Sequence, residues 1–474
     1  MGKQETSQNN LFVTGFSLEK RVRQDHPLRK ILKVIDFDFV YSEVADKYGQ
    51  NGNVSVPPPT ILKFMLLLTF YNVRSERELM ETVPERLDWL WFLGFDLNDS
   101  IPSHSVLSKA RKRWGPEVFQ RIFAMVVGQC VEAGMVDSSK IFVDSSLVDA
   151  DASKDSVLDV TDLQTQLSDQ YHQFEKRLAE TPCERVIGPE AKSNKRNYSS
   201  TDPDAAVVNR GGSKLRYQTH RATDYSGVIT ATAVTSGDVS EGHLLMDMIE
   251  QHSSLTGGEV QTAVADSKYG TKENYLACHD AGIAPHISSM KDGTIKRLKK
   301  RGLFSEELFH YDSHRDLYLC PSGQKLRPRT IHKHKKTIEY KAPTKTCARC
   351  ELRDKCTKSK TGRTIMRHIR QNDLDTARCQ AESKESKRDL RLRQHIIEGT
   401  FGQTKRYGYK RARWRRLWRV SIQDYLVCTI HNIQKLVCHH ERVQITAAKA
   451  ALRYHGALFN CFLLELGSRP CLTR

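Results

Sequence analysis

Apolar positions recur at helical spacing through the first 136 residues. Phe119, Ile122, Phe123, Val126 and Cys130 share one face of a helix expected from Pro116 to about Ala133, with Gly115-Pro116 at its start. Upstream, Pro57-Pro58-Pro59 introduces helical stretches over 60–72 and around Glu76–Glu81. Residues 1–56 are polar, with a mixed helical pattern from Pro27 to Lys47 and a turn-rich loop at Tyr48–Asn53. From Lys140 the period changes. Ile141-Phe142-Val143 is a short apolar run ending in Asp144-Ser145-Ser146, as a buried strand would. Lys214–Ala222 and Val228–Thr235 read as two strands joined by a hairpin turn, Asp224-Tyr225-Ser226-Gly227. A helix over 240–252 follows, then a strand from Val260 ending in Asp266, a helix from Lys272 to Ala281 and a strand over Ala284–Ser288.

This order predicts an α/β fold in which helices pack on a mixed sheet, preceded by an all-α unit. The polar segment from Asp151 to Asn209 has no clear period and reads as an irregular surface excursion. Residues 291–383 interrupt the core with a Lys/Arg-rich, Cys-containing section, and two helices, Lys387–Phe401 and Val420–Val437, close it. The tail carries an Ala-rich helical piece and an apolar patch, Leu458–Leu466, with no functional reading. The expected division is 1–136 helical, 137–290 first part of the core, 291–386 insertion, 387–440 second part of the core, and 441–474 tail.

Charge then narrows the partner. Lys plus Arg number 74 against 56 Asp plus Glu, a net charge of +18 and a pI near 9.3, which favours a polyanion. The longest strongly apolar run, Ile61–Phe70, contains Lys63 and is too short to span a bilayer. No signal pattern opens the sequence, so an intracellular, cytoplasmic protein is expected; Met1-Gly2 with Thr6 is a chance-level match to a myristoylation pattern. From Lys405 to Arg419 the chain holds eight cations, two Tyr, two Trp and no acid. Cations there would neutralise phosphates, and Trp414 and Trp418 would either stack on bases or pack in the core. Pro102-Ser103-His104-Ser105 followed by Lys109–Arg113 is a weaker candidate for DNA contact.

Asp144 and Asp266 each end an apolar strand and precede a small polar residue. With Glu398 from a helix they would supply three hard oxygen donors, a set that suits Mg²⁺ in phosphodiester chemistry. Asp149, Asp151, Asp202 and Asp204 compete on spacing alone.

The quoted motifs resemble a DDE transposase of bacterial insertion sequences, in the group with a ribonuclease H-like core and most similar to the IS1182 branch. Ser75–Leu79, Trp91–Gly94 and Ile101–Ser105 with Arg111–Arg113 resemble the helical region preceding the core. Val143-Asp144-Ser145-Ser146, Thr201–Asp204, Ala265–Gly270 and Arg393–Gly402 resemble the first-aspartate strand, the polar lead-in, the second-aspartate motif and the glutamate signature. The resemblance implies Asp144, Asp266 and Glu398 as a catalytic triad holding two Mg²⁺, with Mn²⁺ as substitute. It also implies Arg393 and Lys405 as contacts to transposon-end DNA, and a homodimer on double-stranded end and target DNA. Arg406, Lys410, Arg411, Arg413, Trp414, Arg415 and Arg416 extend the DNA-holding arm. Where related families have Tyr and Arg seven and four positions before the Glu, this chain has Arg391 and Gln394. Lys405 follows Glu398 by seven residues, so a continuous helix points both the same way, and Gly399 and Gly402 count against continuity.

Twelve cysteines are too few for a disulfide scaffold, and four of them, Cys320, Cys347, Cys350 and Cys356, are candidate ligands of a structural Zn²⁺. A fold-retaining DNA-binding protein without catalysis, and a nuclease without strand joining, are the alternatives.

Overall fold

The computed structural model describes residues 17–49, 56–159, 197–289 and 291–467. Met1, Gly2 and Thr6, most of the Tyr48–Asn53 loop, the middle of the polar segment and the side chains of the Leu458–Leu466 patch lie outside the described residues.

The N-terminal region is helical. Its main pieces are α1 (Pro27–Val34), α2 (Pro58–Phe70), α3 (Glu76–Thr82), α4 (Leu87–Leu93) and α5 (Ser105–Glu132). Helix α5 is broken at Gly115, whose φ of 71° and ψ of 169° are not helical, and Pro116 restarts it. The buried face of its second half is the sequence-predicted one: Phe119, Ile122, Phe123, Val126 and Cys130.

The core sheet contains β1 (Lys140–Asp149), β2 (Ala206–Val208), β3 (Lys214–Thr223), β4 (Ile229–Ser236), β5 (Thr262–Ala265) and β6 (Ala284–Ile287). Its order is β2-β3-β1-β5-β6, with β4 also paired to β3. Strands β1, β5 and β6 are parallel, while β3 runs antiparallel to both β1 and β4. Strand β1 does not end at Asp144 as its apolar run suggested; pairing with β3 carries it on to Asp149. Its pairing with β5 stops at Val143↔Ala265.

Both faces are covered. Helices α6 (Leu245–Thr256), α7 (Lys272–Asp280) and α8 (Gln371–Ala381) bury Ile141, Val143, Ala263 and Ala265. On the other face α9 (Lys384–Arg406) packs Ile397 and Phe401 against Phe142 and Val264. Helix α10 (Leu417–Gly467) is continuous, so the second closing helix and the tail's helical piece form one element. It packs on α5, α1, α2 and β4, and its apolar residues share a core with the N-terminal helices. Between β6 and α8 the insertion forms its own antiparallel sheet of β7 (His310–Asp312), β8 (Leu317–Leu319), β9 (Lys325–His332), β10 (Thr337–Lys341) and β11 (Thr364–His368). The mixed sheet with its antiparallel β3/β4 pair, flanking helices and helical N-terminal region is an α/β, ribonuclease H-like fold.

A buried ion pair joins the second half of the core to the first. The Arg221 guanidinium on β3 is fully buried and donates to Asp424 Oδ1 on α10 at 2.9 Å and to Thr404 Oγ1 on α9 at 2.8 Å. Thr219 and Thr232 donate to the same carboxylate. Asp424→Ala strands the buried guanidinium and is expected to cost on the order of 3–5 kcal/mol, read from the urea midpoint by circular dichroism. The Arg221→Met, Asp424→Leu double variant should recover most of that loss. A single variant as stable as the parent would contradict this role for the pair.

Candidate metal centre and basic helix

Asp144 and Asp266 are the first residues past the last β1/β5 pair, Val143↔Ala265. Parallel pairing therefore delivers the two carboxylates side by side where that pairing stops, Asp266 just past the carboxyl end of β5 and Asp144 midway along β1, which runs on to Asp149 beside β3. Alternation places Asp144 on the same face as Phe142, towards α9. There Arg393 Nη1 donates to Asp144 Oδ2 at 2.6 Å, and the Ser145 amide donates to Oδ1 at 2.8 Å. Asp266 Oδ1 accepts from the Lys268 amide at 3.0 Å, capping the turn Ser267–Tyr269.

A third carboxylate completes the cluster. One oxygen of each of Asp144, Glu241 and Asp266 lies within 4.8 Å of the others, and among the described residues this is the one such group of three acidic, His or Cys side chains. Glu241 opens the turn Glu241–Leu244 ahead of α6, and its Oε1 accepts from Lys268 Nζ. Burial pushes the Asp144 carboxyl above its ordinary range, and the nearby Asp266 charge adds to the rise; Arg393 and the Ser145 amide act against it. Tyr269 is buried beside the three acids, and its phenol is held far above its usual range by burial and then by their charges. His220, the β3 partner of Ser145, is lowered to about 3 by burial and then by Lys268, so it adds no positive charge. Closely spaced hard oxygens of this kind fit a divalent cation.

Glu398 is not a member of this group. It lies one residue past Ile397, which packs on β1 and β5, but its own side chain is exposed. Helix α9 runs unbroken through Gly399 and Gly402, so Glu398, Gly402 and Lys405 form one exposed stripe.

The competing aspartates have structural partners. Asp149 pairs with Lys214 and Arg216, and Asp151 with Arg411 and Arg415. Asp202 Oδ1 accepts from Tyr217 Oη at 2.6 Å and from the Arg416 amide at 3.0 Å, while Asp204 accepts from the Leu417 amide at 2.9 Å. The lead-in motif thus anchors the start of α10.

The basic arm divides. Lys405, Arg406 and Lys410 are exposed, as are Arg411 and Arg415 despite their pairing with Asp151. Arg413 points inward and donates to the Val73 and Arg74 carbonyls. Arg416 has φ of 78° at the turn into α10. Trp414 packs against the core with the Arg111 guanidinium 4.0 Å from its ring centroid, and Trp418 also packs there. Arg111 itself is buried and paired with Glu76 at 2.5 Å, whereas Lys109, Lys112 and Arg113 are exposed.

In the insertion, Cys320, Cys347, Cys350 and Cys356 line one small cavity with Phe309 and Arg363. Cys320 sits in the β8–β9 turn, closed by the Gly323 amide donating to its carbonyl at 2.8 Å. Cys347 and Cys350 flank a second turn. Burial raises the Cys356 thiol and the other three thiols add to it, while Arg363 opposes them. His332, on β9 of the same insertion, approaches Glu339 at 3.5 Å.

Glu241 and its neighbours were not singled out from sequence. A lone acid at a helix start carries no periodic signal, and only the fold shows that it meets Asp144 and Asp266.

Comparison with known families agrees with the fold. A Transposase domain (DUF772) matches residues 16–113, the N-terminal helices. A Transposase DDE domain matches residues 319–437, from the insertion through α9 into α10, and so includes Glu398. Asp144, Glu241 and Asp266 lie between the two matched stretches. No curated protein and no solved structure matches. No described helix is long and apolar enough to cross a membrane. Together the two matches support a DDE transposase of insertion sequences, with which the IS1182 branch is consistent, a family that implies DNA as partner and use of a divalent metal.

Proposed function

We propose that this transposase binds the terminal inverted repeats of its element, cleaves the DNA ends and joins the freed 3′-hydroxyls to target DNA. Asp144, Asp266 and Glu398 would hold the metal, two Mg²⁺ with Mn²⁺ as substitute. The observation that carries this reading is the strand register, which sets Asp144 and Asp266 side by side where the parallel pairing of β1 and β5 ends. When bound, the metal supplies charge stabilisation on the phosphoryl oxygens and a more acidic attacking hydroxyl.

The reaction balances without an external energy source. In cleavage, water oxygen attacks phosphorus and the bond to the 3′-oxygen breaks, leaving a 3′-hydroxyl and a 5′-phosphate. In joining, that 3′-oxygen attacks a target phosphorus and the target's own 3′-oxygen leaves with the proton. The chain's part is positioning. Arg393 orients the Asp144 carboxylate, and Glu398 sits on the exposed stripe of α9 beside Lys405. Lys405, Arg406 and Lys410 are open to neutralise end phosphates, with Arg411 and Arg415 exchanging Asp151 for phosphate when DNA arrives. Arg413 and Trp414 support this face from beneath. Synapsis of two ends requires at least a dimer, acting on DNA in the bacterial cytoplasm.

Asp144→Asn, Asp266→Asn and Glu398→Gln are each expected to remove several kcal/mol of metal-borne stabilisation, about 10³-fold in end cleavage at 1.36 kcal/mol per decade. Folded variants that nick end-bearing DNA at the parental rate would refute the site. Strand transfer from pre-cleaved ends separates a transposase from a nuclease, because only the former yields joined product.

The four insertion cysteines are proposed to close on one structural Zn²⁺, drawing in the sulfurs around their shared cavity. Metal analysis of the purified chain should give about one zinc per protomer, falling to none in Cys347→Ser, Cys350→Ser. A parental protein purified without zinc, and folded, would exclude the site.

A further inference from the structure

We propose that Glu241 is a further acidic ligand of the metal centre, taking a divalent cation directly beside Asp144 and Asp266; this rests on reading those two aspartates as metal-holding. The DDE signature assigns its glutamate to the helix after the insertion, where Glu398 stands, and gives no role to a carboxylate between the two aspartates. In this fold Glu241 reaches both of them, with one oxygen of each residue within 4.8 Å of the others.

A second observation points to a ligand. Glu241 is only 7% exposed, and its Oε2 is buried without any hydrogen-bond partner. Leaving a carboxylate oxygen buried and unmatched is costly, and such groups persist where they pair or coordinate metal. The alternative is that Glu241 serves only to pair with Lys268. That pairing, like the longer approach of Arg210 Nη1 at 3.9 Å, uses Oε1 alone, and the Lys268 side chain is 42% exposed. A lysine so open to water needs no buried partner, and exposed ion pairs contribute little. Pairing with Lys268 therefore accounts for one oxygen and leaves the burial of the other unexplained.

The backbone is arranged to present the carboxylate. A Cβ at Gly242 would lie 3.0 Å from Thr271 Cγ2 and 3.1 Å from the Lys268 carbonyl, so the absence of a side chain permits the close approach of the two turns. Asn274 Nδ2 then donates to the Gly242 and Tyr269 carbonyls, each at 2.8 Å, clamping the turn that starts with Glu241 to the turn capped by Asp266. Glu241 and Asp266 are thereby held as one unit against Asp144 on β1, with Lys268 as counter-charge when no cation is present.

The test is Mn²⁺ affinity of the full chain without DNA, followed by the electron paramagnetic resonance of free Mn²⁺. Glu241→Gln is expected to weaken Mn²⁺ binding at least about tenfold, the scale of lost metal-site groups. Glu241→Asp, which keeps the charge but retracts the oxygens, should also weaken it. Lys268→Met removes a competing cation and should leave affinity equal or higher. If Glu241 is only the lysine's partner, both sides of the pair behave alike: Glu241→Gln and Lys268→Met shift affinity in the same direction or not at all, and the inference fails. Asp144→Asn separates this failure from that of the underlying reading. Loss of binding there with full binding in Glu241→Gln removes Glu241 alone, whereas retained binding in Asp144→Asn removes the aspartate centre itself. Should Glu241→Gln lose the parental circular dichroism spectrum, Glu241→Asp and Lys268→Met decide by the same criteria.

Discussion

The site depends on one register. Because β1 and β5 are parallel and their last pair is Val143↔Ala265, the next residue of each strand is an aspartate facing the same gap. Two like charges held by hydrogen-bonded backbone cannot move apart, so the surroundings must offset them. Arg393 does so from α9 on one face, and Lys268 reaches Glu241 from the turn after β5. Both cations come from segments whose positions are fixed by packing on the same short strands, through Ile397 and Phe401 on one side and Tyr269 and Tyr275 on the other. The carboxylates thus set what the neighbouring elements have to bring.

The two halves of the core are far apart in sequence, with the insertion between them, and buried polar groups tie them together. Arg221 and Asp424 fasten β3 to α10, while Asp202 and Asp204 accept from the Arg416 amide just before that helix and from its first amide, Leu417. Helix α10 in turn shares its apolar face with the N-terminal helices. Any force on the exposed cations of α9 and the following arm is therefore passed to a framework, not to a free loop. Arg413 and Trp414 show the same economy, since both look like DNA contacts by composition yet spend their side chains on α5 and the chain after α2.

Much of this was legible in the sequence where signals are local. Strand runs ending in Asp144 and Asp266, the β3–β4 hairpin and the buried stripe of α5 follow from period and turn chemistry. The extension of β1 through Asp144-Ser145-Ser146 was not, because its polar residues are stabilised by pairing with a strand more than 60 positions away. Helix α9 crosses two glycines because Ile397, Thr400, Phe401 and Thr404 are buried along it, so packing outweighs propensity. Asp202 and Asp204 matched a family motif as readily as Asp144 and Asp266 did, and only their partners at the start of α10 assign them to structure. Glu241 carried no local signal at all, since its significance is entirely a matter of long-range contact.

The most direct test of the account is anomalous diffraction at the manganese edge from crystals of the protein grown with Mn²⁺ and end DNA. The account predicts a peak bounded by the carboxylates of Asp144 and Asp266, and a peak elsewhere with none between those two residues would contradict it.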